Sequence, residues 1–258
     1  MSPNDALAVF ADREELLREL EGETLEKRAL VDRVASSRST VDRSLRRLER
    51  HGIVERVEAR YRLTTMGRHL LAEYDRYQRR AAAVLSARPV VEALPEDAEV
   101  PTALLEGALV FGPRPSDPYG PLEEGMAALA GADHVRSVVN SGLTRYAGLF
   151  DDGLLPAAGG AELCLSADAM RGLLNDRPEW FEQAVDRPDV ALLEVADDPP
   201  YTAAVVSQGG ERSVVFGVFD EQGVGSGLIN DSPRAVEWAD DLHDRWWEDA
   251  TVVSAAER

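Results

Sequence analysis

Two domains of different class are predicted by this sequence: a mostly helical winged helix-turn-helix with a β wing over residues 1–64, and an α/β domain with a mixed sheet over residues 90–258. A linker helix over residues 65–89 joins them. Three observations carry the prediction. Residues 37–54 read as a capped amphipathic helix running into a hairpin. Charge is split along the chain: residues 1–89 hold 18 Arg+Lys against 15 Asp+Glu, and the remainder 10 against 32, within a total of −19. From residue 135 onward, short apolar runs alternate with helical ones.

The helix over 37–51 is justified residue by residue. Ser37 is a good N-cap, because its hydroxyl can accept an orphan backbone N–H of the first turn. Val41, Leu45 and Leu48 recur at i, i+4 and i+7 and form one apolar stripe. Arg38, Ser39, Thr40, Arg43, Arg46 and Arg47 fall off that stripe. Gly52 ends the helix, since glycine accepts the left-handed conformation just past a C-cap. A helix with one buried stripe and a hydroxyl/arginine face suits the major groove, where Arg pairs bidentately with guanine and Ser or Thr reaches base edges or phosphates.

A solvated surface helix has the same composition, so the flanks decide. Upstream, residues 12–20 carry Leu16, Leu17 and Leu20 on one face, and Thr24 is placed to cap a second helix with Leu30, Val31 and Val34 turned inward. Ala35-Ser36-Ser37 then forms the short turn. Downstream, 53–57 and 60–64 alternate as strands around a tight Glu58-Ala59 turn. That hairpin is the wing, and Arg56, Arg60 and Arg62 lie where they can grip phosphate or enter the minor groove. Double-stranded DNA is the partner these residues predict.

From 65 to about 88 the pattern is helical. Leu70, Tyr74, Tyr77, Ala81 and Val84 are spaced 4, 3, 4, 3, the rhythm of a coiled-coil seam. A homodimer through this helix would read a palindromic operator with half-sites about one DNA turn, or a multiple, apart. The alternative is an amphipathic helix packed on its own domain. Arg88-Pro89 is expected to end it.

In the second domain, 104–111 reads as a strand before a proline-rich loop, and 122–131 as a short helix. A strand over 135–139, a helix over 144–155, a strand over 161–165 and a bent helix over 167–185 follow. Strands over 190–195, 203–207, 213–219 and 227–230 come next, joined in part by turns at 208–211 and 220–223. Ser232-Pro233 opens a last helix that buries Val236, Ala239, Leu242 and Trp246. Ligands of such sheets bind beyond the carboxyl ends of parallel strands. Asn140, Ser141, Thr144, Arg145 and Ser166 stand there and are the candidate site for a small-molecule effector, anionic or rich in hydroxyls. Simple helix caps and a surface ion pair explain Ser141, Thr144 and Arg145 equally well.

Lys27 is the sole lysine beside 27 arginines. An acidic, arginine-biased composition resembles proteins of salt-loving archaea, in which dense carboxylates hold water; an ordinary acidic protein of a high-GC bacterium is the alternative. Cys164 is the only cysteine, which suits a reducing compartment. The N-terminus has no basic leader, and no apolar run reaches the ~18–20 residues of a membrane span. A cytoplasmic, membrane-free protein is expected.

In order along the chain, these features resemble a haloarchaeal winged helix-turn-helix transcriptional regulator. The N-terminal likeness rests on Ser37-Arg-Ser-Thr-Val-Asp-Arg-Ser-Leu and on Gly52-Ile-Val with Tyr61-Arg-Leu-Thr-Thr-Met-Gly67. The C-terminal part is similar to the effector domain first named in a methanogenesis regulator, through 104–108, 113–118, 161–165, 236–239 and 245–250. The layout also resembles archaeal sugar-sensing TrmB-like regulators. The resemblance implies DNA binding, and a phospholipase D-like half in the second domain.

That half lacks the catalytic motif. Phospholipase D chemistry needs His-x-Lys, and Lys27 lies in the other domain. His51, His69, His134 and His243 are scattered with no zinc-site spacing, and no Gly-rich phosphate loop is present. Cys164, mid-strand, reads as a buried small apolar residue rather than a nucleophile. No catalytic residue, cofactor or metal is therefore expected. The other reading is an adaptor or enzyme that uses its winged helix for protein contact.

Overall fold

The computed structural model describes residues 2–114, 116–117, 120–140, 159–219 and 225–252. Contacts divide the chain into two compact units, Met1–Ala81 and Ala82–Arg258.

The first unit opens with α1 (Pro3–Glu19), which starts well before the expected 12–20. A reciprocal cap starts it: the Ser2 hydroxyl accepts the Asp5 N–H, and the Asp5 carboxylate accepts the Ser2 N–H. Thr24 does not cap the second helix. Leu25–Glu26 instead form a short strand, β1, and α2 (Lys27–Arg33) follows Glu26 without a side-chain cap. The strand prevails because Leu25 and Glu26 pair with Tyr61 and Arg60, which buries Leu25. Leu30 and Val34 are buried as expected, and Val31 is half-buried.

Helix α3 (Arg38–Arg50) has Ser37 as its cap, the hydroxyl accepting the Thr40 N–H at 3.2 Å. It buries Val41, Leu45 and Leu48, and also Ser44, whose hydroxyl donates to the Thr40 carbonyl at 2.8 Å. Gly52 sits at φ +68°, and the Ile53 N–H reaches back to the Leu48 carbonyl at 3.0 Å, closing the helix end. Strands β2 (Val54–Val57) and β3 (Arg60–Leu63) form the expected hairpin, in a three-stranded sheet ordered β1-β3-β2.

Both turn residues of that hairpin are left-handed, Glu58 at φ +51° and Ala59 at φ +75°. A mirror-image two-residue turn requires this, and glycine or asparagine normally supplies it. Ala59→Gly is therefore expected to stabilise the wing by about 1 kcal/mol. Slower hydrogen exchange of the β2 and β3 amides would register the gain; unchanged exchange would contradict it.

Helix α4 (Thr65–Ser86) answers the linker helix. Within the first unit, Leu71 and Tyr74 are buried in the unit's own core, where the Tyr74 ring lies 5.8 Å from that of Phe10. Leu70 packs on the same core, whereas Tyr77 and Val84 are exposed. The 4-3-4-3 series is thus divided: its first two members are used within the chain. The helix ends at Ser86, just short of Arg88-Pro89, and Pro89 opens a second helix, α5 (Arg88–Ala93).

In the second unit the expected strand over 104–111 is corrected. Thr102–Leu105 is a short helix, α6, and only Leu109–Phe111 is a strand, β4. The Glu106 N–H bonds the Thr102 carbonyl at 2.9 Å, closing a helical turn that buries Leu104 and Leu105, and Gly107 at φ +77° separates the two elements. Helix α7 (Gly120–Leu129) and strands β5 (His134–Val139) and β6 (Gly160–Ser166) follow. The bent helix over 167–185 is two helices, α8 (Ala167–Asp176) and α9 (Pro178–Asp186), separated at Arg177-Pro178. Strands β7 (Val190–Val195), β8 (Thr202–Gln208), β9 (Glu211–Phe219) and β10 (Gly225–Asn230) lead to α10 (Pro233–Glu248). The two-residue strand β11 (Thr251–Val252) was not anticipated. The expected helix over 144–155 and turn over 220–223 lie outside the described residues.

These strands form one sheet ordered β11-β7-β6-β5-β8-β9-β10-β4. Pairs β5–β6 and β6–β7 are parallel and the rest antiparallel, the mixed sheet expected. Helices α8 and α9 bury Met170, Leu173, Trp180 and Phe181 against Val135, Val139, Leu163 and Leu165. Helix α10 buries Val236, Ala239 and Leu242 in a core with Ala203, Val205 and Phe216; Trp246 is only partly buried. The Ser232 hydroxyl caps α10 by accepting the Ala235 N–H at 3.4 Å.

Arg136 of β5 ties α10 to the sheet. Its guanidinium reaches Glu162 at 2.9 Å, Asp240 at 2.7 Å and Asp244 at 2.5 Å, and Arg212 also bonds Asp240 at 2.8 Å. Beside it, His243 is 1% exposed, bonds the Glu162 carbonyl through Nε2 at 3.3 Å and packs on Trp247.

Cys164 is fully buried, and burial, helped by the nearby Glu162 carboxylate, pushes its thiol up to about 12. Thiol-specific reagents are expected to leave native protein unmodified at pH 7.5 and to label it fully in denaturant. Rapid labelling of the native chain would contradict the structural role assigned to it.

Candidate nucleic-acid interface

The interface candidates lie in the first unit, on α3 and the β2–β3 hairpin. Ser37 and Ser39 are exposed at the N-terminus of α3 and Thr40 is half-buried there, and the three hydroxyls bond one another, Ser37 to each of the others at 2.9 Å. Ser37 thus serves first as a cap. Ser39, Arg43, Arg46 and Arg50, spaced 4, 3, 4, face solvent and, with Asp42 and Glu49, line one open groove along the helix. Arg50 was absent from the sequence-based set. Its place on this stripe, i+4 from Arg46 and i+7 from Arg43, was the available signal.

The arginines divide by their partners. Arg46 pairs with Asp42 one turn earlier, Arg62 with Glu55 across the hairpin at 2.7 Å, and Arg60 stands 3.9 Å from Glu26 of β1. Arg56 lies over the Tyr61 ring at 6.0 Å. Arg38, Arg43 and Arg50 are exposed and make no ion pair with a carboxylate among the described residues, although Arg50 Nε donates to the Arg46 carbonyl at 3.3 Å; the half-buried Arg47 interacts electrostatically with Asp5 of α1. The wing's charge is therefore partly neutralised in place, whereas the helix presents guanidinium groups with free donors.

Asp42 was also missed. It accepts from Lys27 of α2 as well as from Arg46, so the only lysine joins the two helices of the motif. The Lys27 hydrogen bond, with the nearby Arg46 charge, holds its carboxyl below the usual 3.8. The i,i+4 relation to Arg46 is legible in sequence, but the contact with α2 is a tertiary fact.

Of the residues expected at an effector site, Asn140 and Ser166 fall at the carboxyl ends of the parallel strands β5 and β6, both buried. The Asn140 N–H donates to the Thr202 hydroxyl at 3.3 Å, and that hydroxyl donates to the Asn140 amide oxygen at 3.1 Å. Ser166 caps α8 by accepting the Ala169 N–H at 3.1 Å. Ser141, Thr144 and Arg145 lie outside the described residues. No helix of the described residues is long and apolar enough to cross a membrane.

Comparison with known proteins gives two family matches. Residues 118–249 match the family described as the middle domain of the methanogenesis regulatory protein FilR1, and residues 3–85 match the HVO_A0261 N-terminal domain. No curated protein matches the chain. Among solved structures, similarity is found to TrmBL2, an archaeal chromatin protein whose structure is described as showing a novel mode of DNA binding. The identity is 13% and the TM-score 0.40, over 98% of this chain and 100% of that one. The phospholipase D family member Nuc from Salmonella typhimurium is similar at 10% identity and a TM-score of 0.37, over 58% of this chain and 99% of that one.

Proposed function

Because the chain belongs to the family of the methanogenesis regulatory protein FilR1, whose middle domain it matches over 118–249, we propose that it is a sequence-specific DNA-binding transcriptional regulator. The observation that carries the reading is the solvent-facing stripe of α3, where Ser39, Arg43, Arg46 and Arg50 follow one another at helical spacing and Arg43 has no internal partner. Residues 37–51 enter the major groove and the wing over 53–64 rests on the backbone or in the minor groove. Residues 65–89 link this module to an effector domain over 90–258.

The protein acts as a homodimer on a palindromic operator. Tyr77, Val84 and Leu85, exposed by 56%, 39% and 75%, support a pairing face on α4, with Ala81 between them. Leu70 and Tyr74 support the helix from inside. The effector site lies near the carboxyl end of β5, where Asn140, Ser141, Thr144, Arg145 and Ser166 cluster in sequence or register, and catalysis has no part in the function.

Occupancy of the tagged protein across its own genome tests the proposal. Sharp promoter peaks sharing an inverted repeat are expected. Even coverage under every growth condition would count against regulation and favour a protein partner for the winged helix.

A further inference from the structure

Beneath α7, the sheet lacks the side chains that fill the rest of the core. Thr202 of β8, Gly217 of β9, Gly227 of β10 and Phe111 of β4 stand side by side in register. The adjacent glycines leave room for neighbouring rings across two strands, roughly 10 Å at ~4.8 Å per strand. Phenylalanine rings lie over both glycines: a Cβ on Gly217 would come within 2.7 Å of the Phe219 ring, and one on Gly227 within 2.4 Å of the Phe111 ring. Glycine inside a strand often marks such a close approach.

Helix α7 roofs the patch with Pro121, Gly125, Met126 and Leu129, yet a cavity of about 40 Å³ remains. Its wall is almost entirely carbon, and none of its described lining residues is charged. Two hydroxyls face it from the sheet. Ser137 donates to the Ala203 carbonyl at 3.2 Å, and Thr202 donates to Asn140 at 3.1 Å while accepting the Asn140 N–H at 3.3 Å, so both protons are committed and each oxygen keeps a lone pair to accept with. The flexible Met126 thioether and the two phenylalanine rings can shift to widen the space.

We propose that this cavity, between α7 and the paired glycines, binds a small, flat, uncharged molecule with one hydrogen-bond donor, of phenol or indole type. The Phe111 and Phe219 rings, seated on the glycines, give the ligand's ring its apolar contact, and Ser137 or Thr202 accepts its hydrogen bond. None of the described lining residues carries a charge to meet a carboxylate or phosphate, whose unpaired burial is strongly unfavourable. Such sites are mostly apolar with a few placed polar groups. Calling this ligand a second effector, beside the one placed near Asn140, rests on the regulator reading above; the site itself does not.

The test uses the full-length protein and fluorine NMR of 4-fluorophenol, 5-fluoroindole and 4-fluorobenzoate. Saturable binding of the two neutral rings is expected, with the benzoate at least tenfold weaker. Gly125→Leu, which fills the cavity from its roof, is expected to cut affinity tenfold or more with an unchanged far-UV spectrum. Gly125→Ala serves as the milder variant, since its Cβ would meet only Val215, at 3.6 Å. Absence of saturable binding up to about 10 mM, equal binding of the benzoate, or full binding by folded Gly125→Leu and Gly125→Ala would overturn the proposal. No DNA enters the assay, so a failure here leaves the DNA-binding reading standing, and the reverse also holds.

Discussion

Arg43→Ala is expected to lower affinity for the operator by roughly 5- to 150-fold and to flatten base preference at one or two positions, leaving weak general DNA binding intact. The magnitude is that of one lost bidentate contact, about 1–3 kcal/mol. Arg43 is exposed, sits mid-stripe on α3 and has no carboxylate among the described residues to release before it can bind a base. Arg60→Ala and Arg62→Ala are expected to act differently. These wing arginines stand near Glu26 and Glu55, and on DNA they would exchange those partners for phosphates. Their loss should weaken all sequences similarly and reduce the salt dependence by about one counterion each. Competition binding against a panel of single-base operator variants checks both. A changed base preference in Arg60→Ala, with none in Arg43→Ala, would reverse the roles assigned to helix and wing.

Arg136→Met is expected to destabilise the second unit by about 2–3 kcal/mol, roughly 5–10 °C in its melting temperature. The guanidinium is largely buried at 22% exposure, and its removal leaves Glu162, Asp240 and Asp244 facing one another without it. The exposed position of Asp244 keeps the loss below that of a fully buried pair. All four tryptophans lie between 180 and 247, so selectively excited tryptophan fluorescence follows this unit without signal from the first.

The same melting curves carry a pH signature. Burial, reinforced by the Arg136 charge, holds His243 below its ordinary 6.5, so the unfolded chain binds the proton more readily. Stability from this residue is complete above pH 6.5 and is lost as pH falls through that value. Asp240 adds a second loss. Burial works against its charge, but Arg212 and Arg136 outweigh it and hold the carboxyl below 3.8, so its contribution fades as pH falls below that value. His243→Gln should remove the upper step only. A melting temperature that rises on acidification from pH 7 to 5 would contradict this assignment.

How much of this was legible in the sequence depended on how local the cause was. Ser37, Ser232 and Gly52 acted where their chemistry put them, because caps and left-handed turns are decided within a few residues. The α3 stripe was legible because helical spacing places its residues. Thr24 misled because the competing event, pairing of Leu25 with Tyr61, joins positions far apart in sequence. The 104–111 run misled because its apolar residues divide around a positive-φ glycine. Tyr74 fits a coiled-coil spacing and packs on Phe10 all the same, since periodicity names a face and not what covers it. The Lys27–Asp42 contact and the Gly217–Gly227 row are juxtapositions of distant segments, beyond the reach of any local pattern.

The most direct measurement is selection from a random duplex DNA pool by the purified full-length protein, followed by sequencing. The account predicts a dominant inverted repeat, its half-sites centred about one helical turn apart or a multiple of it. A pool that emerges as random as it entered, from protein shown to be folded, would contradict sequence-specific DNA binding as the function of this chain.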